Sequence, residues 1–417
     1  MIMTAIPEYQ DFFGDDNPAG LIARYGSPLY VYHEAILRRR CRELKNLIDY
    51  ERFTVNYSVK ANANLSLLRI IREEGLHADA MSPGELFILG KAGFMPEQLF
   101  FVPNNVGDDE LQYAVDHHIC VSLDSLDQLE RFGRLAPGSD VALRINPGVG
   151  AGHHVKVVTA GKKTKFGIAE EQIDEARAIA NRYRMRIIGV NQHIGSLFME
   201  PSAFLKAARH FFSMALAFPD LAFVDLGGGF GIPYHKLAGE ERLDLAALGR
   251  GLNGLVQSFV ASYGKPLTVK IEPGRYIVAE CGILLGTVHA LKENNGTTYS
   301  GTDLGFNVLA RPMLYDSWHD LVAYRDGQPL EDPQTKSVTV VGNICESGDI
   351  IAADRKLPPL RSGDLLAVLD AGAYGYSMSS NYNNRLRPAE VLVREDGSSM
   401  LIRCRETLED LLRAFPG

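Results

Sequence analysis

Eight short apolar runs, separated by amphipathic stretches, govern what the first two-thirds of this chain can become. The runs are 54–59, 77–81, 99–102, 119–123, 140–145, 187–193, 222–226 and 267–271. Between them lie helical patterns such as Leu65–Glu74, Pro83–Ala92, Asp108–Asp116, Glu170–Arg184, Ser202–Ala217 and Leu245–Tyr263. Strands buried on both faces read as continuous apolar runs, and regular alternation with helices makes a parallel sheet. Eight repeats match a closed (β/α)8 TIM-type barrel; an open doubly wound sheet is the alternative, since closure leaves no mark on a single sequence. Ser82 followed by Glu85 has the form of a capping box at the head of the second helix.

After about Ala279 the texture changes. Segments 283–290, 297–302, 337–342, 365–369, 390–395 and 399–403 are strand-like, with Gly/Asp/Asn turns and little helix until Glu406–Ala414. The expectation is α/β plus all-β: a barrel over 33–278, and a β-sandwich or Greek-key domain from 279–417. The opening strand Leu29-Tyr30-Val31-Tyr32 precedes the barrel, so residues 1–32 are assigned to the β domain.

Composition excludes several classes of partner. A net charge of -8 with no long basic run leaves no nucleic-acid footprint, and Arg38-Arg39-Arg40 reads as a solvated helix face. Cys41, Cys120, Cys281, Cys345 and Cys404 are scattered, without a C-x-x-C pair or zinc-spaced histidines, which argues against disulfides or a metal and for a reducing compartment. Met1-Ile2-Met3-Thr4-Ala5 does not open a signal peptide, and no apolar stretch reaches membrane-spanning length, so a cytoplasmic protein is expected.

A barrel gathers its chemistry at the carboxyl ends of its strands. Successive runs are followed by Lys60, Asp79, Asn104-Asn105, Asp124, Arg144-Ile145-Asn146, His193, Gly227-Gly228-Gly229 and Glu272. An amine held at the end of a buried strand is partly desolvated, which favours it as a nucleophile toward carbonyls. Glycines after the seventh run let backbone N–H groups approach a phosphate, though a tight structural turn gives the same pattern. Ser196, in Gln192-His193-Ile194-Gly195-Ser196, offers a hydroxyl to the same phosphate, and His193 a flat imidazole. Glu272, in Glu272-Pro273-Gly274-Arg275, is placed to keep a heterocyclic nitrogen protonated; an internal ion pair with Arg275 is the structural alternative. Cys345-Glu346-Ser347-Gly348-Asp349 sets a thiol beside a carboxylate at a turn. Gly372–Asn383 mixes aromatic, small and polar residues, as a ligand-facing loop does.

Val59-Lys60-Ala61-Asn62, His193–Ser196, Gly227–Gly229, Glu272–Arg275, Cys345–Asp349 and Gly372–Asn383 together resemble the fold-type III pyridoxal-phosphate decarboxylases, and among them the diaminopimelate decarboxylase family. The similarity runs from about Pro28 to about Leu412. It implies an alanine-racemase-type barrel with a β-sandwich domain, pyridoxal 5'-phosphate as cofactor, and a homodimer with shared active sites. Lys60 would carry the cofactor covalently, His193 would stack on its ring, and Glu272 would bind the ring nitrogen. Ser196, Gly227, Gly228, Gly229 and Tyr374 would hold the phosphate, with Asp79, Gly274 and Arg275 completing the cofactor site. Cys345 would come from the partner subunit as the acid that returns a proton to carbon.

Substrate choice turns on Gly305–Tyr315. A distal carboxylate calls for a fixed guanidinium, for which Arg275 and Arg311 are candidates, with Tyr315 and Tyr374 as further donors. A distal ammonium calls for a carboxylate, for which Glu346 is the candidate. Both charges on one end describe meso-2,6-diaminoheptanedioate, whose decarboxylation to L-lysine is the last step of lysine biosynthesis. The alternatives are a decarboxylase of the ornithine or arginine type and a non-catalytic regulatory homologue; the latter should have lost Lys60 or Cys345. Asn343 stands where the family usually has proline, and Val102-Pro103-Asn104-Asn105-Val106 lacks the family's usual lysine. The glycine-rich stretch from Gly148 to Gly167 reads as a mobile loop over the site.

Overall fold

The structure, a computed structural model, describes residues 9, 11–148 and 165–416; of the expected 148–167 loop, residues 149–164 lie outside the described residues. The chain forms two compact units. One comprises Arg40–Ile232 and Arg242–Ile277, and the other the described parts of Met1–Arg39, Pro233–Glu241 and Val278–Gly417. The first strand, β1 (Leu29–His33), belongs to the second of these.

The first unit is a barrel. Its strands are β2 (Phe53–Ser58), β3 (His77–Ala80), β4 (Leu99–Phe101), β5 (Cys120–Leu123), β6 (Asp140–Asn146), β8 (Arg186–Asn191), β9 (Phe223–Asp225) and β10 (Thr268–Ile271). Each pairs in parallel with the next, β5 with β6 and β6 with β8, and β10 returns to β2. The ring is closed, which removes the open-sheet alternative. A two-residue strand, β7 (Ile168–Ala169), hooks onto β6 outside the ring. Phe100, Val102, Ala142 and Phe223 form a cluster in its core.

Helices follow the strands because their caps and apolar stripes agree. Ser82 Oγ accepts from Glu85 N–H (3.3 Å) at the head of helix Pro83–Ala92, and the Glu85 carboxylate reaches back to Met81 N–H (2.7 Å), one residue before the expected box partner. Arg40 is not a solvated residue: it is buried, its Nη1 donates to both oxygens of Glu43 (2.9 and 2.8 Å), and its guanidinium lies 5.6 Å from the Tyr276 ring centroid. Arg38 pairs with Glu34 (2.7 Å), so Arg39 alone of the three is exposed.

The second unit is a curled ten-stranded sheet. It contains β1, β11 (Gly282–Asn294), β12 (Thr297–Thr302), β13 (Leu321–Arg325), β14 (Gln328–Pro329), β15 (Lys336–Val341), β16 (Ile350–Leu357), β17 (Leu365–Val368), β18 (Ala389–Val393) and β19 (Ser399–Arg403). β1 lies between β11, antiparallel, and β18, parallel, as its sequence position suggested. The thirteen-residue β11 takes part in separate ladders along its length: its buried first half pairs with β1 and β17, and beyond a register shift at Val288/Ala290 its exposed half pairs with β12. The expected helix over Glu406–Ala414 is a single 3-10 turn, Glu409–Leu412. Pro233–Glu241 packs in this unit because Lys236 finds Glu280 and Asp370, Leu237 N–H donates to Asp320 (2.9 Å), and the His235 ring stacks on Trp318.

Candidate active site

β2 ends in a 3-10 turn, Val59–Ala61, which carries Lys60 half-exposed between two buried neighbours. The polar stretch after it is capping machinery. Asn64 accepts from Ser66 N–H (2.9 Å) to start helix Leu65–Glu73, Asn62 Oδ1 accepts from Asn64 N–H (2.9 Å), and Tyr57 OH donates to Asn62 O (2.9 Å). Lys60 is fixed because both sides of its turn are fixed.

No acid neighbours Lys60 in sequence, but the fold supplies acids from other strands. Asp79, in β3, is fully buried and accepts from Ser58 Oγ (2.8 Å). Burial, then the charge of Glu272, holds it well above the usual carboxylate range, against the pull of Lys60. Glu272, just past β10, is also raised by burial, opposed first by Lys60 and then by Arg144 and Lys270. Its Oε1 is buried without a partner among the described residues. Asp225, the last residue of β9, accepts from Gly227 N–H (2.9 Å) and from Asn56 Nδ2 (3.4 Å). Burial, then the Glu272 charge, pushes it well up, against the pull of Gly227 N–H and Lys270.

His193 follows β8. Burial, then the charges of Lys60 and Arg144, pushes its pKa well below the ordinary imidazole value, so the ring is neutral at pH 7. Gly228 N–H donates to His193 Nδ1 (3.1 Å), which puts the ring proton on Nε2. The glycine run is a cradle that a side chain would fill: a Cβ at Gly227 would lie 2.2 Å from Gln192 O, at Gly228 1.9 Å from Glu272 O, and at Gly229 2.4 Å from Gly195 O. Gly227 and Gly228 use their amides inside the pocket, so close packing is part of why they are glycines. Arg275, buried at the start of a short helix, donates from Nη2 to Ser196 Oγ (3.0 Å), and Gly274 lets that turn approach Ser58 and Ala61.

The barrel end thus brings together Lys60, Asp79, His193, Ser196, Gly227–Gly229, Glu272, Gly274 and Arg275. Asp225 was missed by sequence reasoning, although an acid inside the apolar run 222–226 was its signal.

The remaining expected residues lie in the β unit. Arg311 is 2% exposed. Its Nη1 donates to His319 Nε2 (2.7 Å), whose Nδ1–H donates to Leu369 O (2.7 Å); its Nη2 donates to Ser317 Oγ (3.3 Å), and the guanidinium lies over the Tyr234 ring. Tyr315 ends the same short helix, Arg311–Tyr315. Cys345 and Glu346 are exposed together on the β15–β16 turn. Tyr374 has a φ of 56°, a left-handed conformation unusual for an aromatic residue.

The pyridoxal binding domain of the pyridoxal-dependent decarboxylases matches residues 34–279. The diaminopimelate decarboxylase of Methanothermobacter thermautotrophicus is 43% identical over 411 residues, which cover 96% of this chain and 94% of that protein. This chain belongs to the diaminopimelate decarboxylase family. Solved structures of the family agree: one diaminopimelate decarboxylase superimposes with a TM-score of 0.89 at 34% identity, covering 97% of this chain and 98% of its own. The Helicobacter pylori diaminopimelate decarboxylase complexed with L-lysine gives 0.86 at 31%, covering 95% and 98%.

Proposed function

We propose that this chain removes one carboxylate from meso-2,6-diaminoheptanedioate, giving L-lysine and carbon dioxide, with pyridoxal 5'-phosphate as cofactor. The observation that carries the reading is the buried Glu272 oxygen without a partner, in the same pocket as Lys60. A buried acceptor left unmet is costly unless a ligand meets it, and a protonated ring nitrogen is the donor that fits. When bound, the cofactor supplies an electron sink for the pair left behind as carbon dioxide departs.

The chain's own residues do the rest. Lys60 anchors the cofactor through its amine. Glu272 receives the ring N–H through its unmet oxygen. Neutral His193 presents a flat face without adding a positive charge. Ser196 and the Gly227–Gly229 segment hold the phosphate, together with Tyr374. Arg275 and Arg311 meet the distal carboxylate, Tyr315 adds a donor, and Glu346 meets the distal ammonium. The His319–Leu369 bond orients the imidazole that holds Arg311, so this guanidinium is pre-aimed. Cys345 gives its Sγ proton to the carbon that lost carboxylate. Because Cys345 and Glu346 are exposed on a turn, we assign them to the active site of a second copy, in a homodimer. A cytoplasmic setting belongs to the same proposal and rests on the scattered cysteines of the sequence.

A substrate with only an amine or guanidine at its far end would face buried arginine, which disfavours the ornithine-type reading. The test is to supply purified protein with pyridoxal phosphate and either diaminopimelate or ornithine, then measure carbon dioxide. Release from diaminopimelate is expected; release from ornithine alone would falsify the assignment.

A further inference from the structure

Cys345 and Glu346 stand on a turn whose own strands do not fix them, yet the turn is tied on two sides. From within, the buried Asp349 accepts from Phe306 N–H (2.7 Å) and Ile344 N–H (2.8 Å), and donates its own N–H to Glu346 O (3.1 Å). From outside, a second segment makes three bonds in a row. Tyr382 OH donates to Glu346 Oε1 (2.5 Å), Cys345 N–H donates to Asn383 Oδ1 (3.0 Å), and Arg385 Nη2 donates to Asn343 O (3.0 Å).

This second segment is itself held. Asn381 Nδ2 donates to Glu406 (2.6 Å) and to Arg385 O (3.0 Å), and the Tyr382 ring stacks on Phe306 at 5.6 Å and 27°. Asn383 and Asn384 are both left-handed, with φ of 56° and 52°. Two successive left-handed residues are uncommon, and asparagine enters that region more readily than other residues with a Cβ. The geometry turns the Asn383 amide toward the Cys345 peptide.

We propose that Asn381–Arg385 is a positioning clamp for the catalytic turn: Tyr382 sets the Glu346 carboxylate, and Asn383 sets the backbone that carries the Cys345 thiol. The inference rests on the roles proposed above for Cys345 and Glu346. With Oε1 held by Tyr382, Oε2 is left to meet a substrate ammonium. Burial of neither group is needed, because the hydrogen bond itself raises the Tyr382 phenol and keeps it a donor. Without the hydroxyl, an exposed glutamate on a flexible stem must be ordered at the moment of binding. Without the Asn383 acceptor, the thiol swings relative to the carbon it protonates, and small displacements of a proton donor slow a reaction steeply.

The two contacts act on different parameters, which separates them from a general loss of structure. In the holoenzyme, Tyr382→Phe keeps the ring stack and should raise KM for diaminopimelate roughly tenfold, the factor for a lost hydrogen bond to a charged group, with kcat within about twofold. Asn383→Gly keeps the left-handed backbone but removes the acceptor, and should lower kcat roughly tenfold with little change in KM. Asn383→Asp retains an acceptor and should recover the rate. Glu346→Gln and Cys345→Ala are measured alongside. If Glu346→Gln raises KM while Tyr382→Phe does not, the clamp is overturned and the functional reading stands. If Glu346→Gln leaves KM unchanged, the role of Glu346 fails and the clamp fails with it. Should Asn383→Gly melt early, the exposed Tyr382→Phe variant decides the matter alone.

Discussion

Asp79, Asp225 and Glu272 crowd one end of the barrel, and burial raises all three above the usual carboxylate range. Both Asp225 oxygens accept hydrogen bonds, from Gly227 N–H and Asn56 Nδ2, whereas Glu272 Oε1 is buried without a partner among the described residues. The glycine run makes this arrangement possible, because Gly228 sits where the Glu272 carbonyl passes. Gly228→Ala would place a methyl 1.9 Å from that oxygen, and backbone rather than a flexible side chain would have to yield. We expect a loss of about 1–3 kcal/mol in stability and a cofactor that washes out on desalting, read by thermal melting and by the absorbance of bound pyridoxal. Gly254→Ala is the control. It lies in helix Leu245–Tyr263 with nothing within 4 Å of its missing Cβ, so it should melt no lower and gain up to about 1 kcal/mol. Equal effects at both glycines would refute the packing argument. At this scale Lys60, His193 and Glu272 were legible because barrel chemistry gathers at strand ends. Asp225 was hidden because it is counted inside a strand, and its partners Asn56 and Glu272 are distant in sequence.

Among elements, the barrel strands were readable almost to the residue, since a strand buried on both faces is a plain apolar run. The β unit was read less fully. β13, β14 and β16 escaped notice, and β16 shows why. Its burial does not alternate, the ladder with β15 shifts register twice, and Asp354 within it has a φ of 50°. A period of two is erased wherever bulges move residues to the other face. Asp354 is exposed, so its substitution reports on backbone conformation with little packing change. Asp354→Gly should leave the melting temperature unchanged or raise it slightly. Asp354→Val, which favours extended strand elsewhere, should cost about 1–2 kcal/mol here, as a β-branched residue is forced left-handed. A stabilising valine would mean the strand can straighten and the bulge is incidental.

Across the whole molecule, the least legible feature is that the β unit is sewn from separated stretches of chain. Lys236, in the excursion Pro233–Glu241, reaches Glu280 (2.6 Å), Asp370 (2.5 Å) and Tyr9 OH (3.3 Å), and Tyr9 OH donates to Asp370 (2.5 Å). No local pattern could reveal this, because the lysine and Asp370 are 134 residues apart. Glu280 and Asp370 are fully buried. Burial, only partly offset by Lys236 and aggravated by Glu280, pushes Asp370 up to about 6. Because that lies above the ordinary carboxylate value, the folded protein keeps a proton that the unfolded chain has released. Stability from this group therefore falls as pH rises through the window from about 4 to 6. Lys236 is raised by its two carboxylates, so its own contribution persists throughout that window and is lost only in the alkaline range. Lys236→Met leaves two buried carboxylates without their cation, which should cost about 3–5 kcal/mol at pH 8. Without the ammonium, Asp370 moves further up, so protonation relieves the variant already in mild acid. The melting-temperature deficit of Lys236→Met against the unaltered protein should accordingly be largest at pH 8 and clearly smaller at pH 5. A deficit equal at both pH values would show that the lysine acts through its packed stem alone, and that its charge is not what joins these stretches.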